Sequence, residues 1–386
     1  MTSARKLLTA VARRSRTVAS AARGSSSSAP GRRMAARLAA AGLSTGLVAA
    51  AGCGAPAAHS PQQAPAKFLA GYARPDGRVV RLDQGGDTVS EGQAYGMLIA
   101  ESTGNSAAAA RIWTWTRDHL QLGDGLFAWH ANAAGRVIGQ QPASDADLLI
   151  AWALLRYHGP QAASWHRAGR RVAAAIIAHE VTSGPGGVPV LAAGPWATGK
   201  PASLDPSYWS LTAFQQLARL TGDQIWQRMA AGAVSLTREL TRDGKALPPD
   251  WAELTAAGAL RPEPAPDGSQ PQTQYGPDAQ RTVVWFAASC DPQARTLAAR
   301  WWPLLRSGDH GQALALTPSG SVLNAAPQPL ALVASAAAAK AAGDGSAEQK
   351  LLQRAKAGQQ AHPTYYGGAW SVLGPVLLGG STLATC

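Results

Sequence analysis

The sequence predicts an all-α fold, a single domain of antiparallel helical hairpins closed into a toroid. Three observations carry that expectation. Apolar residues recur at three- and four-residue spacing in about eleven separate stretches, the period of a helix with a buried face. Few runs alternate with period two, and no strand–helix series suggests a parallel sheet. No fixed-period repeat is visible, which disfavours an open solenoid, and no shift in composition marks a second domain.

In chain order, residues 1–52 stand apart as a leader with nine basic residues and no acid. Within it, Met34-Ala-Ala-Arg37 and a small-residue apolar run end in Ala50-Ala51-Gly52-Cys53. A short basic start, an apolar core and a cysteine after small residues resemble a bacterial lipoprotein signal, which would place the lipid on Cys53. Met34 is the favoured start of translation, and an ordinary secretory signal cut elsewhere is the alternative. Residues 53–66, with Pro56, Pro61 and Pro65, read as a flexible tether. The expectation is an exported protein held at the cell surface through Cys53. The apolar runs stop short of the ~20 residues of a membrane-spanning helix, so the lipid is the expected membrane link.

From about residue 67 the pattern is helical almost throughout. Helices are predicted over 91–102, 107–120, 145–157, 162–179, 206–220, 224–240, 278–288, 292–305, 328–342, 347–357 and 365–378. Two starts carry good caps: Ser144-Asp145, and Asp205-Pro206 with proline in the first turn. Gly- and Pro-rich loops such as 182–189 and 262–274 separate the helices. The loops at one end of a toroid are where a site is expected.

Charge and residue counts exclude several function classes. The formal net charge of +12 invites a nucleic-acid reading, but the body beyond the leader carries only +3, so no nucleic-acid partner is expected. Three cysteines make neither a disulfide scaffold nor a four-thiolate zinc site. Cys290 and Cys386 could pair after export or remain buried thiols. Gly194-Pro-Trp-Ala-Thr-Gly199-Lys200 has the outline of a phosphate loop, but Pro201 follows where a hydroxyl is needed and no strand precedes it. The eight histidines show no metal-ligand spacing. No metal or organic cofactor is expected, and the protein is expected to be a monomer.

Three acids differ from ordinary solvated charge. Glu91 lies in Val89-Ser-Glu-Gly-Gln-Ala-Tyr-Gly-Met97, Asp145 in Ala143-Ser-Asp-Ala-Asp-Leu-Leu-Ile-Ala151, and Asp278 in Gln274-Tyr-Gly-Pro-Asp-Ala-Gln-Arg281. Each sits at a predicted helix N-terminus, where taken singly a capping acid is the commoner explanation. Together, the wording, order and spacing of these segments resemble glycoside hydrolase family 8. Asp124-Gly-Leu-Phe-Ala-Trp129 and Asp205-Pro-Ser-Tyr-Trp209 resemble further family segments, and the likeness covers about residues 68–380. The resemblance implies an (α/α)6 barrel, which agrees with the helix count. It also implies an inverting endo-β-1,4-glucanase, with Glu91 as general acid, Asp278 as general base and Asp145 holding the sugar at the cleavage point. Such chemistry needs one carboxyl protonated and another ionised, with room between them for water. Arg281, one helical turn after Asp278, is expected to keep the base ionised and oriented. Two positions depart from the pattern. Pro277 stands before the base where many relatives carry Tyr, removing an aromatic group and an N–H, and Leu149 stands where Trp is frequent.

Thirteen Trp against four Phe is an excess that a helical core does not ask for. Trp faces stack on pyranose rings, so Trp129, Trp196 and Trp209, together with Tyr208 and Tyr275 of the quoted segments, are the candidate substrate contacts. Trp152, Trp226 and Trp285 fall inside helices and are expected to be buried. Trp113 and Trp115 are two positions apart, so at most one is expected in the core. The expected partner is a β-1,4-linked polysaccharide. Xylan or chitosan on the same barrel is the competing enzyme reading; near-neutral charge argues against cationic chitosan. A non-catalytic polysaccharide-binding lipoprotein is the reading from another class.

Overall fold

The computed structural model describes residues 63–308, 310–380 and 383. The leader, Cys53 and the tether through residue 62 lie outside the described residues, as does Cys386. Cys290 is disulfide-bonded.

Among the described residues there are twelve α-helices: α1 (Gln63–Tyr72), α2 (Ser90–Ser102), α3 (Ser106–His119), α4 (Ser144–Arg156), α5 (Ala162–His179), α6 (Leu211–Thr221), α7 (Ile225–Leu240), α8 (Pro277–Ala288), α9 (Pro292–Leu305), α10 (Pro329–Ala341), α11 (Gly345–Ala361) and α12 (Tyr365–Leu378). The even-numbered helices form an inner ring that closes, each against the next and α12 against α2. The odd-numbered helices pack outside them. This is the (α/α)6 arrangement. Composition explains the two layers. From Ser144 to Leu155 every residue of α4 is buried, whereas α5, α7 and α9 keep charged outer faces.

The two ends of the ring differ. At one end α2–α3, α4–α5, α6–α7, α8–α9 and α10–α11 are joined by short turns such as 103–105 and 289–291. Several of these turns cap the outer helix that follows: Asn105, Asp291 and Asp344 each accept a first-turn N–H. At the other end most connections are long and carry the strands. These are β1 (Thr88–Val89), β2 (Ala128–Ala131), β3 (Val137–Pro142), β4 (Val181–Ser183), β5 (Pro189–Leu191), β6 (Ala202–Leu204), β7 (Trp251–Leu254), β8 (Leu260–Glu263), β9 (Ala313–Leu316) and β10 (Val322–Pro327). They pair antiparallel as β1-β2-β3, β4-β5, β6-β7-β8 and β9-β10. The inner helices that bear the acids start at this end, so the positive ends of their dipoles point where Glu91, Asp145 and Asp278 sit.

Several sequence expectations are corrected. The predicted tether overlaps α1 at residues 63–66, because Pro65, Phe68 and Leu69 bury against the ring. The predicted helix over 206–220 is broken. Pro206–Tyr208 form a 3-10 turn, Trp209 is non-helical, and Ser210 caps α6 by accepting from the Ala213 N–H. That break lets Ser207 and Tyr208 face the site. The loop over 182–189 is a hairpin tip, closed by Gly186 and Gly187 at positive φ. Trp113 and Trp115 are both buried. Trp113 packs on Phe127 and Trp165, while Trp115 is covered on the opposite face by His119 and the backbone at Gly77 and Gly135. Trp152, Trp226 and Trp285 are buried as expected.

Candidate active site

Arg281 gathers the predicted acids. Its side chain is 3% exposed. Nη1 donates to Glu91 Oε1 at 2.6 Å, to Asp145 Oδ2 at 2.8 Å and to the Tyr95 hydroxyl at 3.2 Å. Nη2 donates to Ser207 Oγ at 2.7 Å and to Asp278 Oδ1 at 3.0 Å, and lies 3.8 Å from Asp205 Oδ2. The Tyr95 hydroxyl donates to the same Glu91 oxygen at 2.7 Å. Because one guanidinium spans these contacts, the nearest oxygens of Glu91 and Asp278 lie within about 8 Å of each other.

None of the three acids caps its helix by bonding first-turn N–H groups from the N-cap position. The N-cap residues of α2, α4 and α8 are Val89, Ala143 and Gly276, none with a side-chain cap bond. Asp145 accepts the neighbouring Ala146 N–H at 2.7 Å, and Ser144 is turned away to donate to the Ala192 carbonyl. The cap of α8 comes from elsewhere in the chain. Asp250 Oδ1 accepts from the N–H groups of Gly276 and Ala279, both at 2.8 Å, and its Oδ2 accepts from Gln270 and Gln274. Pro277 occupies the first helical position, where the ladder has no use for an N–H. The Tyr366 hydroxyl lies 3.5 Å from its carbonyl, so an aromatic group from α12 stands beside Asp278.

Burial and charge set the ionisation of the cluster. Burial pushes Asp145 up to about 7, against the pull of Arg281 and with a further push from Glu91. Burial also raises Asp278, and Arg281 opposes it. Asp278 remains the most open of the acids, its side chain 34% exposed against 21% for Glu91 and 8% for Asp145. Asp205 is fully buried and is pushed well up by burial and by Asp278. Burial works against the charge on Arg281, but Tyr366, Tyr95, Glu91 and Asp278 hold it on.

The candidate substrate contacts divide. Tyr208 lies under the Arg281 guanidinium, 5.4 Å from ring centre to carbon. It leads outward through Trp251 at 6.4 Å to Trp196 at 6.5 Å, an aromatic trail that ends at the surface. Trp196 is 37% exposed and is fixed by its indole N–H to the Pro142 carbonyl. Trp129 is half-buried on β2, against Gly139 and His130. Trp209 and Tyr275 are not substrate contacts. Trp209 is buried and donates its indole N–H to the Leu191 carbonyl. Tyr275 is buried because its backbone pairs with Leu316 and turns the ring inward. Tyr95, Ser207, Asp250, Trp251 and Tyr366 escaped the sequence reading as site residues. Tyr95 had a signal, one helical turn from Glu91 in the same segment; Asp250 and Trp251 had none.

A family model described as glycosyl hydrolases family 8 matches residues 34–378. A probable endoglucanase of Novacetimonas hansenii is 32% identical over 271 residues, 64% of this chain and 73% of that protein. An endoglucanase of Cellulomonas uda is 28% identical over 204 residues, 51% of this chain and 56% of that protein. The aligned chain thus spans between about half and three quarters of these relatives. The endo-beta-1,4-glucanase CMCax from Acetobacter xylinum superposes with a TM-score of 0.68 at 26% identity, covering 83% of this chain and 98% of that one.

Proposed function

The chain belongs to glycosyl hydrolases family 8, and on that premise we propose that it is an inverting endo-β-1,4-glucanase. The observation that carries the reading is the single buried guanidinium that holds Glu91, Asp145 and Asp278 together at the open end of the barrel. Glu91 is the general acid. Its Oε1 is fixed by Arg281 and Tyr95, while Oε2 accepts from no group among the described residues and is available to the glycosidic oxygen. Asp278 is the general base. Its Oδ1 is held by Arg281 and its Oδ2 is unengaged among the described residues, so a water can be deprotonated there. The bound of about 8 Å between the two carboxyls accommodates the gap of roughly 6.5–9.5 Å that inversion needs. Asp145, between them and least exposed, holds the sugar at the point of cleavage. Tyr208, Trp251 and Trp196 offer a stacking path for a chain of β-linked rings. The carboxylate chemistry asks for no cofactor.

The wider proposal keeps the lipid anchor at Cys53, a cell-surface location and a monomer. It rests on the leader sequence and on a site supplied wholly by one chain.

The test follows cellohexaose by proton NMR from the first minutes. Initial α-anomers from the β-linked chain are the expected result. Initial β-anomers would overturn inversion. Cleavage of xylohexaose or chitohexaose but not cellohexaose would move the substrate and keep the mechanism. No cleavage of any of them would favour a binding protein.

A further inference from the structure

A second pair of carboxyls lies behind the site. Asp147 stands in the first turn of α4, two residues after Asp145, and Glu180 immediately follows α5. Neither residue is exposed. Asp147 Oδ1 accepts the Phe127 N–H at 2.9 Å. Its Oδ2 and both Glu180 oxygens meet no N–H or hydroxyl among the described residues. The two carboxyls lie within hydrogen-bonding reach of each other. Ionised carboxylates can only accept, so a hydrogen bond between them needs one of the two to carry a proton. The charged groups that act on the pair are Asp145 and Asp124, both acidic, and no cation among the described residues joins them. Burial pushes both members well above the usual carboxylate range; for Glu180 the charge of Asp147 adds to it.

The pair sits where three parts of the site meet. Phe127 belongs to the segment that enters β2 and presents Trp129. The Glu180 carbonyl accepts the Ala192 N–H at 2.9 Å, and the Ala192 carbonyl accepts the Ser144 hydroxyl. The first turn of α4 is therefore tied to both neighbouring hairpins through or beside these two acids.

We infer that Asp147 and Glu180 share one proton, and that this half-neutralised pair is the latch that holds the first turn of α4, and with it Asp145, in its working position. In the latched state the O–H of one carboxyl donates to the other and the pair carries a charge of −1. In alkaline solution hydroxide removes that proton as water, the pair becomes −2, and the two oxygens repel. Asp147 and Glu180 are positioning residues. Their link to catalysis rests on the proposed role of Asp145, whereas the shared proton is a property of the folded chain alone.

The experiment measures thermal unfolding of the full chain from pH 5 to pH 9, beside the pH profile of kcat/KM on a soluble β-1,4-glucan. Wild type is compared with Glu180→Gln and Asp147→Asn. Either amide supplies an N–H in place of the O–H and cannot lose it. An acid whose pKa is raised by folding stabilises at low pH, and that stabilisation is lost as pH rises through the folded value. Wild-type Tm is therefore expected to fall by roughly 5 °C or more towards pH 9, and each variant to remove a large part of that fall. The alkaline limb of kcat/KM is expected to move to higher pH in both variants, with kcat at the optimum nearly unchanged. Parallel Tm profiles in wild type and in whichever variants fold would overturn the shared proton. A flattened Tm profile with an unmoved kcat/KM limb would overturn the tie to Asp145. Wild type inactive on every glycan would sink the hydrolase reading and leave the Tm comparison standing.

Discussion

Arg281 shows how much one side chain can organise. Its planar fork serves five oxygens from four elements, Glu91 and Tyr95 on α2, Asp145 on α4, Ser207 before α6 and Asp278 on its own helix. A lysine keeps the charge but not the fork. Arg281→Lys is expected to lower kcat by about 100-fold or more with a smaller effect on KM, since carboxyls displaced by an ångström lose alignment with the bond they cleave. Steady-state kinetics on cellohexaose decides it, and a variant with wild-type kcat would show that charge alone suffices. Glu91→Gln probes a single role within the same cluster. The amide cannot protonate a leaving group, so kcat is expected to fall by roughly 10²–10⁴-fold, while calorimetric binding of cellohexaose stays nearly intact. A substrate with a dinitrophenolate leaving group needs no protonation and should recover most of the rate. Equal losses on both substrates would remove Glu91 from the acid role. The acids were legible in the sequence because their segments carry family wording around them. Trp209 was misjudged because a tryptophan beside a loop reads the same whether its indole N–H meets a sugar or, as here, the Leu191 carbonyl.

At the scale of elements, the helices were legible and the strands were not, for one physical reason. A helix writes its burial into its own sequence at a fixed period, and α5, α9 and α12 begin and end where the apolar spacing does. The strands here run from two to six residues and take their order from pairing across the chain, as when Thr88 of β1 meets Ala131 of β2. Alternation over so few residues carries little signal. The same holds for the start of α8, where Asp278 is presented. Its cap is Asp250, 26 residues before Gly276, and no local pattern announces it. Asp250→Ala leaves the N–H groups of the N-cap Gly276 and of Ala279 without an acceptor. It is expected to cost about 2–4 kcal/mol of stability and to lower kcat more than it raises KM, because Asp278 loses its fixed position. Asp250→Asn retains an accepting oxygen and should be milder on both counts. Denaturant unfolding beside kinetics gives the comparison, and a harmless alanine variant would mean that the Gly276 turn holds itself.

The whole barrel inherits a pH dependence from the acids it buries. Asp145 and Asp250 are each pushed up to about 7, mainly by burial, and Asp205 is pushed well up. Each stabilises the fold fully below its unfolded value near 4; for Asp145 and Asp250 that contribution is lost as pH rises through about 7, and for Asp205 as pH rises through its own raised value. Asp87 runs the other way. Although burial opposes it, bonds from His130 and Arg81 hold it below the usual range, so its contribution is lost as pH falls through that lowered value. The expected profile is a Tm that peaks in mild acid and declines above neutrality; a maximum near pH 9 would contradict the buried carboxyls. Ring closure sets the last constraint. The seam between α12 and α2 is covered by α1, whose Phe68 and Tyr72 rings lie 6.4 and 6.1 Å from that of Tyr365. Tyr365 is also held by its N–H to Asp83, in the loop that leads to Glu91. Removing α1 exposes Phe68's place in the core, Leu69's, and one wall of Tyr365. At about 1.5–3 kcal/mol for each large apolar side chain, the loss is about 3–6 kcal/mol. A chain beginning at residue 73 should therefore unfold roughly 5–15 °C below one beginning at residue 63. Because Tyr366 follows directly on Tyr365 and stands beside Pro277 and Asp278, kcat should fall with stability even at temperatures where the shortened chain is folded. An unchanged Tm would mean that the ring closes without α1; a lowered Tm with full kcat would mean that the seam and the site are independent.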